Sequence, residues 1–152
     1  MDKILISACL LGENVRYNAK PKGLLNPLIE QWKNEKRLYP VCPEVCGGLP
    51  IPRAPAEMNQ ASQKVINSHG EDVTYAFNIG AKNALRICVE HNIRFALLKE
   101  SSPSCGSQTI YDGSFTQTKI SGVGVTTKLL QEHGIQVFSE DNLAELVAAL
   151  TC

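Results

Sequence analysis

Six cysteines punctuate this chain of 152 residues: Cys9, Cys42, Cys46, Cys88, Cys105 and Cys152. Thiols pair as disulfides, bind soft metals as thiolates, or attack as nucleophiles. Stable disulfides are uncommon in a reducing cytosol. The N-terminus, Met1-Asp2-Lys3-Ile4-Leu5-Ile6-Ser7, lacks the apolar region of a signal peptide. The expected compartment is therefore the cytoplasm, and the weight falls on metal ligation, thiolate catalysis or plain burial. A zinc ribbon carries paired C-x2-C knuckles. Cys42 and Cys46 have three residues between them and no second pair follows, which argues against ordinary structural zinc. Four thiolates usually close a structural site, whereas three protein ligands leave a metal position open for chemistry.

Other groups able to move protons or bind anions lie close to these cysteines in sequence. Glu44 follows Cys42 by two residues, and Ser101, Ser102 and Ser104 run into Cys105 within Ser-Ser-Pro-Ser-Cys-Gly. Arg16 and Arg53 are candidate anion contacts, and Lys99 and Glu100 sit just before the serines. Each has a plainer reading. Glu44, Arg16 and Arg53 could be solvated surface charges, and the serines could simply shape turns around Pro103. Tyr17 reads as a loop or core anchor. Cys88 lies on an apolar helix face and reads as a buried hydrophobe, and Cys152 reads as a free terminal thiol. His69, His91 and His133 sit at helix or loop ends, where capping or solvation explains them. Gly122-x-Gly124 lacks the full dinucleotide fingerprint.

Elements must bring these residues together. Ile4–Ala8 reads as a buried strand, followed by a polar loop over Gly12–Gly23. Leu24–Trp32 has the apolar stripe of a helix, with Pro27 in its first turn, where proline is tolerated. Leu38–Cys42 is a second strand. Four prolines and two glycines in residues 43–56 predict a stiff loop with no regular helix. Val65-Ile66 predicts a small edge strand. Asp72–His91 is a strong helix, faced by Val73, Phe77, Ala81, Ala84, Leu85 and Cys88, with Asp72 as N-cap. Arg94–Lys99 is a third strand, and Ile110–Phe115 a hairpin around Asp-Gly. Gly122–His133 is helical and ends at Gly134 in the C′ position. Ile135–Phe138 is a last strand, and Ser139 caps a final helix faced by Leu143, Leu146, Val147 and Leu150.

Strands alternating with helices predict an α/β protein. The expected form is a three-layer α/β/α sandwich on a mostly parallel sheet, Rossmann-like or flavodoxin-like, with residues 1–152 as one domain. Parallel strands end at one edge, and ligands bind in the crevice outside it. Cys9 closes the first strand, Cys42 closes the second, and Cys105 lies in the loop after the third. The three could meet in one site, although position alone fits unrelated buried thiols equally well.

Composition removes several functions. Lys and Arg total 15, Asp and Glu total 15, and the net charge is zero. A chain without a basic block has no footprint for general nucleic-acid binding. Apolar residues make up 43%, which supports a packed core. No apolar run approaches the roughly 20 residues needed to cross a bilayer, so no membrane partner is expected. A monomer or a homodimer are both open.

Several short motifs occur in order along nearly the whole chain: Ser7-Ala8-Cys9-Leu10-Leu11-Gly12, Arg16-Tyr17, Pro40-Val41-Cys42-Pro43-Glu44, Gly47-Gly48-Leu49-Pro50-Ile51-Pro52-Arg53, Ser102-Pro103-Ser104-Cys105-Gly106 and Ile110-Tyr111-Asp112-Gly113. Together they resemble the thiouracil desulfidase family. The resemblance implies a [4Fe-4S] cluster held by three cysteines, which on matching positions are Cys9, Cys42 and Cys105. The place of Cys46, ligand or neighbouring thiol, stays open. The resemblance also implies removal of sulfur from thiouracil or a related thiolated pyrimidine, a small-molecule substrate. The open iron would act as a Lewis acid on the substrate sulfur while water adds to the ring carbon, without net redox change. In that chemistry Glu44 is the expected acid–base group and Ser102 the expected ring-orienting or proton-relaying hydroxyl, with Ser101 and Ser104 as alternates. Arg16 and Arg53 would meet an anionic base or a phosphate. Two other classes compete: a non-catalytic module holding zinc or an iron–sulfur cluster, and a cofactor-free sulfurtransferase using Cys42 or Cys105.

Overall fold

In the computed structural model, residues 1–12 and 26–150 are described. Arg16 and Tyr17, in the predicted loop, and Cys152 lie outside the described residues. The chain begins with β1 (Ile4–Ser7) and a 3-10 turn over Ala8–Leu11. It continues through α1 (Pro27–Asn34), β2 (Leu38–Val41), α2 (Pro43–Cys46), β3 (Ala56–Met58), β4 (Val65–Asn67) and α3 (Thr74–His91). Then follow β5 (Phe95–Leu98), β6 (Thr109–Tyr111), β7 (Lys119–Ser121), α4 (Val125–Glu132), β8 (Gln136–Ser139), a 3-10 turn over Glu140–Asn142, and α5 (Leu143–Leu150).

Four parallel strands pair in the order β2-β1-β5-β8. Taken as the first to fourth strands of the sheet, this is the order 2-1-3-4 of flavodoxin-like folds, whose switch point falls between the first and third strands. The alternation of the pleat sends side chains to both faces. Leu5, Ala96 and Leu98 join Ala84, Cys88 and Leu130, so α3 and α4 cover one face. Ile4, Ile6, Phe95 and Leu97 join Ile29, Trp32 and Leu146, so α1 and α5 cover the other. The result is the expected α/β/α layering, in which β1 and β5 read as continuous apolar runs because both their faces are buried.

Local chemistry sets the element ends. Asn26 Oδ1 accepts the Leu28 N–H (2.9 Å) and Pro27 takes the first helical position, so α1 starts later than the apolar stripe suggested. The helix α3 starts at Thr74, and Asp72 Oδ1 accepts the Thr74 N–H at its threshold. Gly134 is left-handed (φ 79°) just past α4, as expected. Ser139 and Asn142 form a reciprocal capping box leading into α5.

The prediction of no regular helix in residues 43–56 is corrected by α2, a single turn. Pro43 opens it at the position where a missing N–H costs nothing. Two short antiparallel pairs, β3–β4 and β6–β7, stand outside the main sheet. The hairpin read around Asp112-Gly113 is longer than a two-residue turn. Asp112 N–H bonds Thr118 C=O (3.0 Å), and residues 112–118 form the loop.

The turn α2 packs on α3 with no space between backbones. A methyl group on Gly80 would fall on the Pro43 carbonyl oxygen, and one on Gly47 would fall on the Ala76 carbonyl oxygen. Gly80→Ala is therefore expected to lower unfolding stability by about 3 kcal/mol, since backbone atoms have no room to yield. The urea midpoint measures this; an unchanged midpoint would mean that α2 shifts freely.

Candidate functional site

The site lies beyond the carboxyl ends of β1, β2 and β5. Cys9 sits in the 3-10 turn that follows β1 and is 7% exposed. Cys42 directly follows β2 as the N-cap residue of α2 and is half-buried. Cys105 lies in the loop after β5 and is 5% exposed. All three line one cavity of about 420 Å³, together with Glu44, Arg53, Ser101 and Ser102. None of these three cysteines, nor Cys46 or Cys88, is in a disulfide. The opposite wall comes from β3 and the β6–β7 hairpin: Glu57, Tyr111, Phe115, Gln117 and Lys119.

The chain fixes each of these groups by identifiable bonds. Ser7 Oγ accepts the Lys99 N–H (2.9 Å), tying the end of β1 to the end of β5. Ser102 Oγ accepts the N–H groups of Ser104 and Cys105, both at 3.1 Å. Those bonds use its lone pairs and leave its hydrogen to donate. Thr127 Oγ1 donates to the Cys105 carbonyl (2.8 Å) from α4. Ser101 is left-handed (φ 66°), with its hydroxyl 3.0 Å from Thr109 Oγ1.

Glu100 organises the whole Cys105 loop. Its Oε1 accepts the N–H groups of Ser101, Ser107, Gln108 and Thr109 at 3.0–3.2 Å, and its Oε2 accepts Ser107 Oγ–H at 2.8 Å. Burial acts to raise its pKa, but the bonds from Gln108, Thr109 and Ser107 outweigh burial and bring it down to about 2. A carboxylate with a lowered native pKa stabilises the fold above its ordinary value of 4.5, and the contribution drains away as pH falls toward 2. Glu100→Gln presents an NH₂ group to a ring of donors. It is expected to cost about 2–4 kcal/mol at pH 7, and the gap to the parent should narrow in urea titrations run at progressively lower pH. Equal stability at pH 7 would show that the loop does not need the charge.

The electrostatics set the protonation of the site. Burial pushes the Cys105 thiol up to about 12, although the Ser7 and Ser104 hydroxyls hydrogen-bond it and favour the thiolate; negative charge on Glu44 or Cys9 would raise it further. Burial likewise raises Cys42. Glu44, on the first turn of α2, is raised by burial and held back by Arg53. Arg53 Nε donates to Glu44 Oε1 (3.1 Å) and Nη1 to the Pro50 carbonyl (3.1 Å).

Several residues stand apart from their predicted places. Ser104, expected among the substrate contacts, is fully buried with its hydroxyl 2.8 Å from Thr126 Oγ1. It packs behind Cys105 rather than on the cavity wall, because α4 starts against the Ser104 backbone at Gly124. Arg53 does line the cavity, but its Nε faces Glu44 rather than open space. Lys99 pairs with Glu140 (2.8 Å). Cys88 is buried among the core of α3, as expected. Arg16 lies outside the described residues. Glu57, Phe115 and Gln117 were not anticipated; the Asp-Gly hairpin was a signal for the last two, and Glu57 on β3 had none.

Among the described residues no three His, Cys, Asp or Glu side chains are grouped tightly enough to hold a single metal ion. Three thiols from separate segments lining one cavity are soft donors of the kind that hold an iron–sulfur cluster. Coordination would also deprotonate thiols that burial otherwise keeps neutral. Cys9, Cys42 and Cys105 are thus the residues able to hold such a cluster.

The family model described as 2-thiouracil desulfurase matches residues 4–142. The uncharacterized protein YbbK of Bacillus subtilis (strain 168) is 39% identical over 152 residues, covering 95% of this chain and 99% of the relative. The solved structure of the [4Fe-4S]-dependent thiouracil desulfidase TudS is 51% identical, superposes with a TM-score of 0.96, and is matched over 99% of both chains. The match to the family model takes in the sheet, the three cavity cysteines and the loop between them and α4: this chain belongs to the 2-thiouracil desulfurase family.

Proposed function

We propose that this protein is a [4Fe-4S]-dependent desulfidase that hydrolyses the C–S bond of thiouracil or a closely related thiopyrimidine, with Cys9, Cys42 and Cys105 holding the cluster. One observation carries the reading: three thiols from three strand ends line a single cavity together with a partly buried carboxylate, Glu44. When bound, the cluster supplies a Lewis-acidic iron for the soft sulfur of the substrate. The reaction exchanges the ring thione and one water for a ring carbonyl and hydrogen sulfide, so no electron donor is needed.

The protein's own groups do the proton work. Glu44, ionised, takes a proton from the attacking water and returns it to the sulfur, then carries the hydroxyl proton of the adduct to the sulfur as the C–S bond breaks. Arg53 holds one carboxylate oxygen of Glu44, so it serves the substrate through Glu44. Ser102 donates its hydroxyl hydrogen to the ring, and Ser101 shapes the same wall. A cytoplasmic setting belongs to this reading, since a thiolate-held cluster suits a reducing compartment. Among the described residues no helix is long and apolar enough to cross a membrane.

The test is anaerobic reconstitution followed by a sulfide-release assay on a panel of thiouracils, thionucleosides and thionucleotides. Brown protein that liberates sulfide and the matching oxo-pyrimidine supports the reading. Colourless protein with stoichiometric zinc and no turnover points to the binding module, and metal-free protein that turns over persulfides points to the sulfurtransferase. Gel filtration of the same sample separates monomer from homodimer.

A further inference from the structure

Three residues on the cavity wall hold a left-handed backbone that side chains disfavour: Ser101 (φ 66°), Phe115 (φ 58°) and Gln117 (φ 61°). Elsewhere in the described chain this conformation has an ordinary cause. Asn92 (φ 55°) caps the C-terminus of α3, and Lys36 (φ 57°) closes the turn after α1 with its N–H on Lys33 C=O. Gln63 (φ 57°) lies in the β3–β4 turn, with its N–H on Asn59 C=O. Phe115 and Gln117 lie in the β6–β7 loop, and strain of this kind persists only where the surroundings enforce it.

Here the surroundings are identifiable. Glu57 Oε1, on β3, accepts the N–H groups of Gly113 (3.0 Å) and Phe115 (3.2 Å), fastening the 112–118 loop from outside the hairpin. Gly113 (φ 97°) comes so close to Met58 that an added methyl would strike the Met58 carbonyl oxygen. The Phe115 backbone is therefore held at the cavity wall, and its side chain is 40% exposed, one of few large apolar side chains left open to solvent among the described residues. An open aromatic side chain on a cavity wall suits a flat ligand.

We propose that Phe115 is a specificity-determining residue that stacks on the flat heteroaromatic ring of the substrate, and that Glu57 is the positioning residue that holds it there. The proposal rests on the thiopyrimidine reading of the site. Stacking on a face of the ring stabilises the bound substrate and the transition state alike, so it is expected in KM rather than in kcat.

The test uses the cluster-loaded enzyme, with 2-thiouracil kinetics, iron content and calorimetric binding of uracil as separate readouts. Phe115→Ala is expected to raise KM and the uracil Kd about tenfold, the scale of losing one base–aromatic stack, with kcat and iron content unchanged. Phe115→Trp should restore both constants, and its indole emission should be quenched by uracil. Glu57→Ala should raise KM with Phe115 still present, and adding Phe115→Ala to it should raise KM no further, since the two act as one unit. Wild-type KM and uracil Kd in Phe115→Ala would overturn the proposal, as would fully additive losses in the double variant. The two readings fail separately. Wild-type protein that binds uracil but releases no sulfide defeats the desulfidase reading. Active wild-type protein whose Phe115→Ala variant keeps both constants defeats this one.

Discussion

Cys105→Ala is expected to give a folded, colourless protein that retains no iron and releases no sulfide from thiouracil. The loop around Cys105 is held chiefly through its backbone, and its sulfur adds hydrogen bonds with Ser7 and Ser104. Ser102 Oγ takes the Cys105 N–H, Thr127 takes the carbonyl, and Glu100 gathers the amides that follow. Removing one buried sulfur should cost only about 1 kcal/mol in packing, so circular dichroism and the urea midpoint should change little. Iron content should fall to background, because with two thiolates left no protein ligand replaces the third. Cys9→Ala and Cys42→Ala should behave the same way, and Cys88→Ala, in the core of α3, should keep its iron. Full iron content in any of the first three variants removes that residue from the ligand set. Cys46→Ala, on the same turn as Glu44 but exposed, decides whether that thiol belongs to the site. A second readout comes from metal-free protein. With its thiol pushed up to about 12 by burial, Cys105 should alkylate far more slowly at neutral pH than exposed Cys46.

The second large effect is expected at Glu44. Glu44→Gln keeps the shape of the side chain and removes its capacity to accept a proton. Iron content should match the parent, while sulfide release should fall by about 10²–10⁴-fold, the usual weight of a positioned acid–base group. The pH profile gives the sign. Burial raises the Glu44 pKa above its ordinary 4.5, against the pull of Arg53. The base form is therefore lost as pH falls through a value above 4.5, and the acid limb of kcat/KM should lie there in the parent and vanish in the variant. Near-normal turnover by Glu44→Gln with full iron content would assign the proton transfers to another group.

The scaffold of this protein was readable where physics is local. Ile4-Leu5-Ile6 and Phe95–Leu98 are apolar on both pleat faces, which marks buried parallel strands. The stripe of α3 repeats over 18 residues, long enough to define a helix by period alone. The three-residue strands β3 and β7 were not anticipated, because Ala-Glu-Met and Lys-Ile-Ser carry no periodicity to detect. The turn α2 hid within a proline-rich run whose first proline happens to suit a helix start.

The same division runs through the site. Placing cysteines at the ends of strands is a local property, and a parallel sheet turns it into convergence because all its strands end at one edge. That much the amino-acid order determined by itself. Which hydroxyl faces the cavity, Ser102 or Ser104, depends on Thr126 and Gly124, some twenty residues away. The clamp of Glu57 on Phe115 and the tie of Ser7 to the Lys99 amide each join segments whose sequences say nothing of one another. Tertiary structure alone decided these, because a hydrogen bond between distant segments is selected by the packing that brings them within about 3 Å, not by the propensity of either segment.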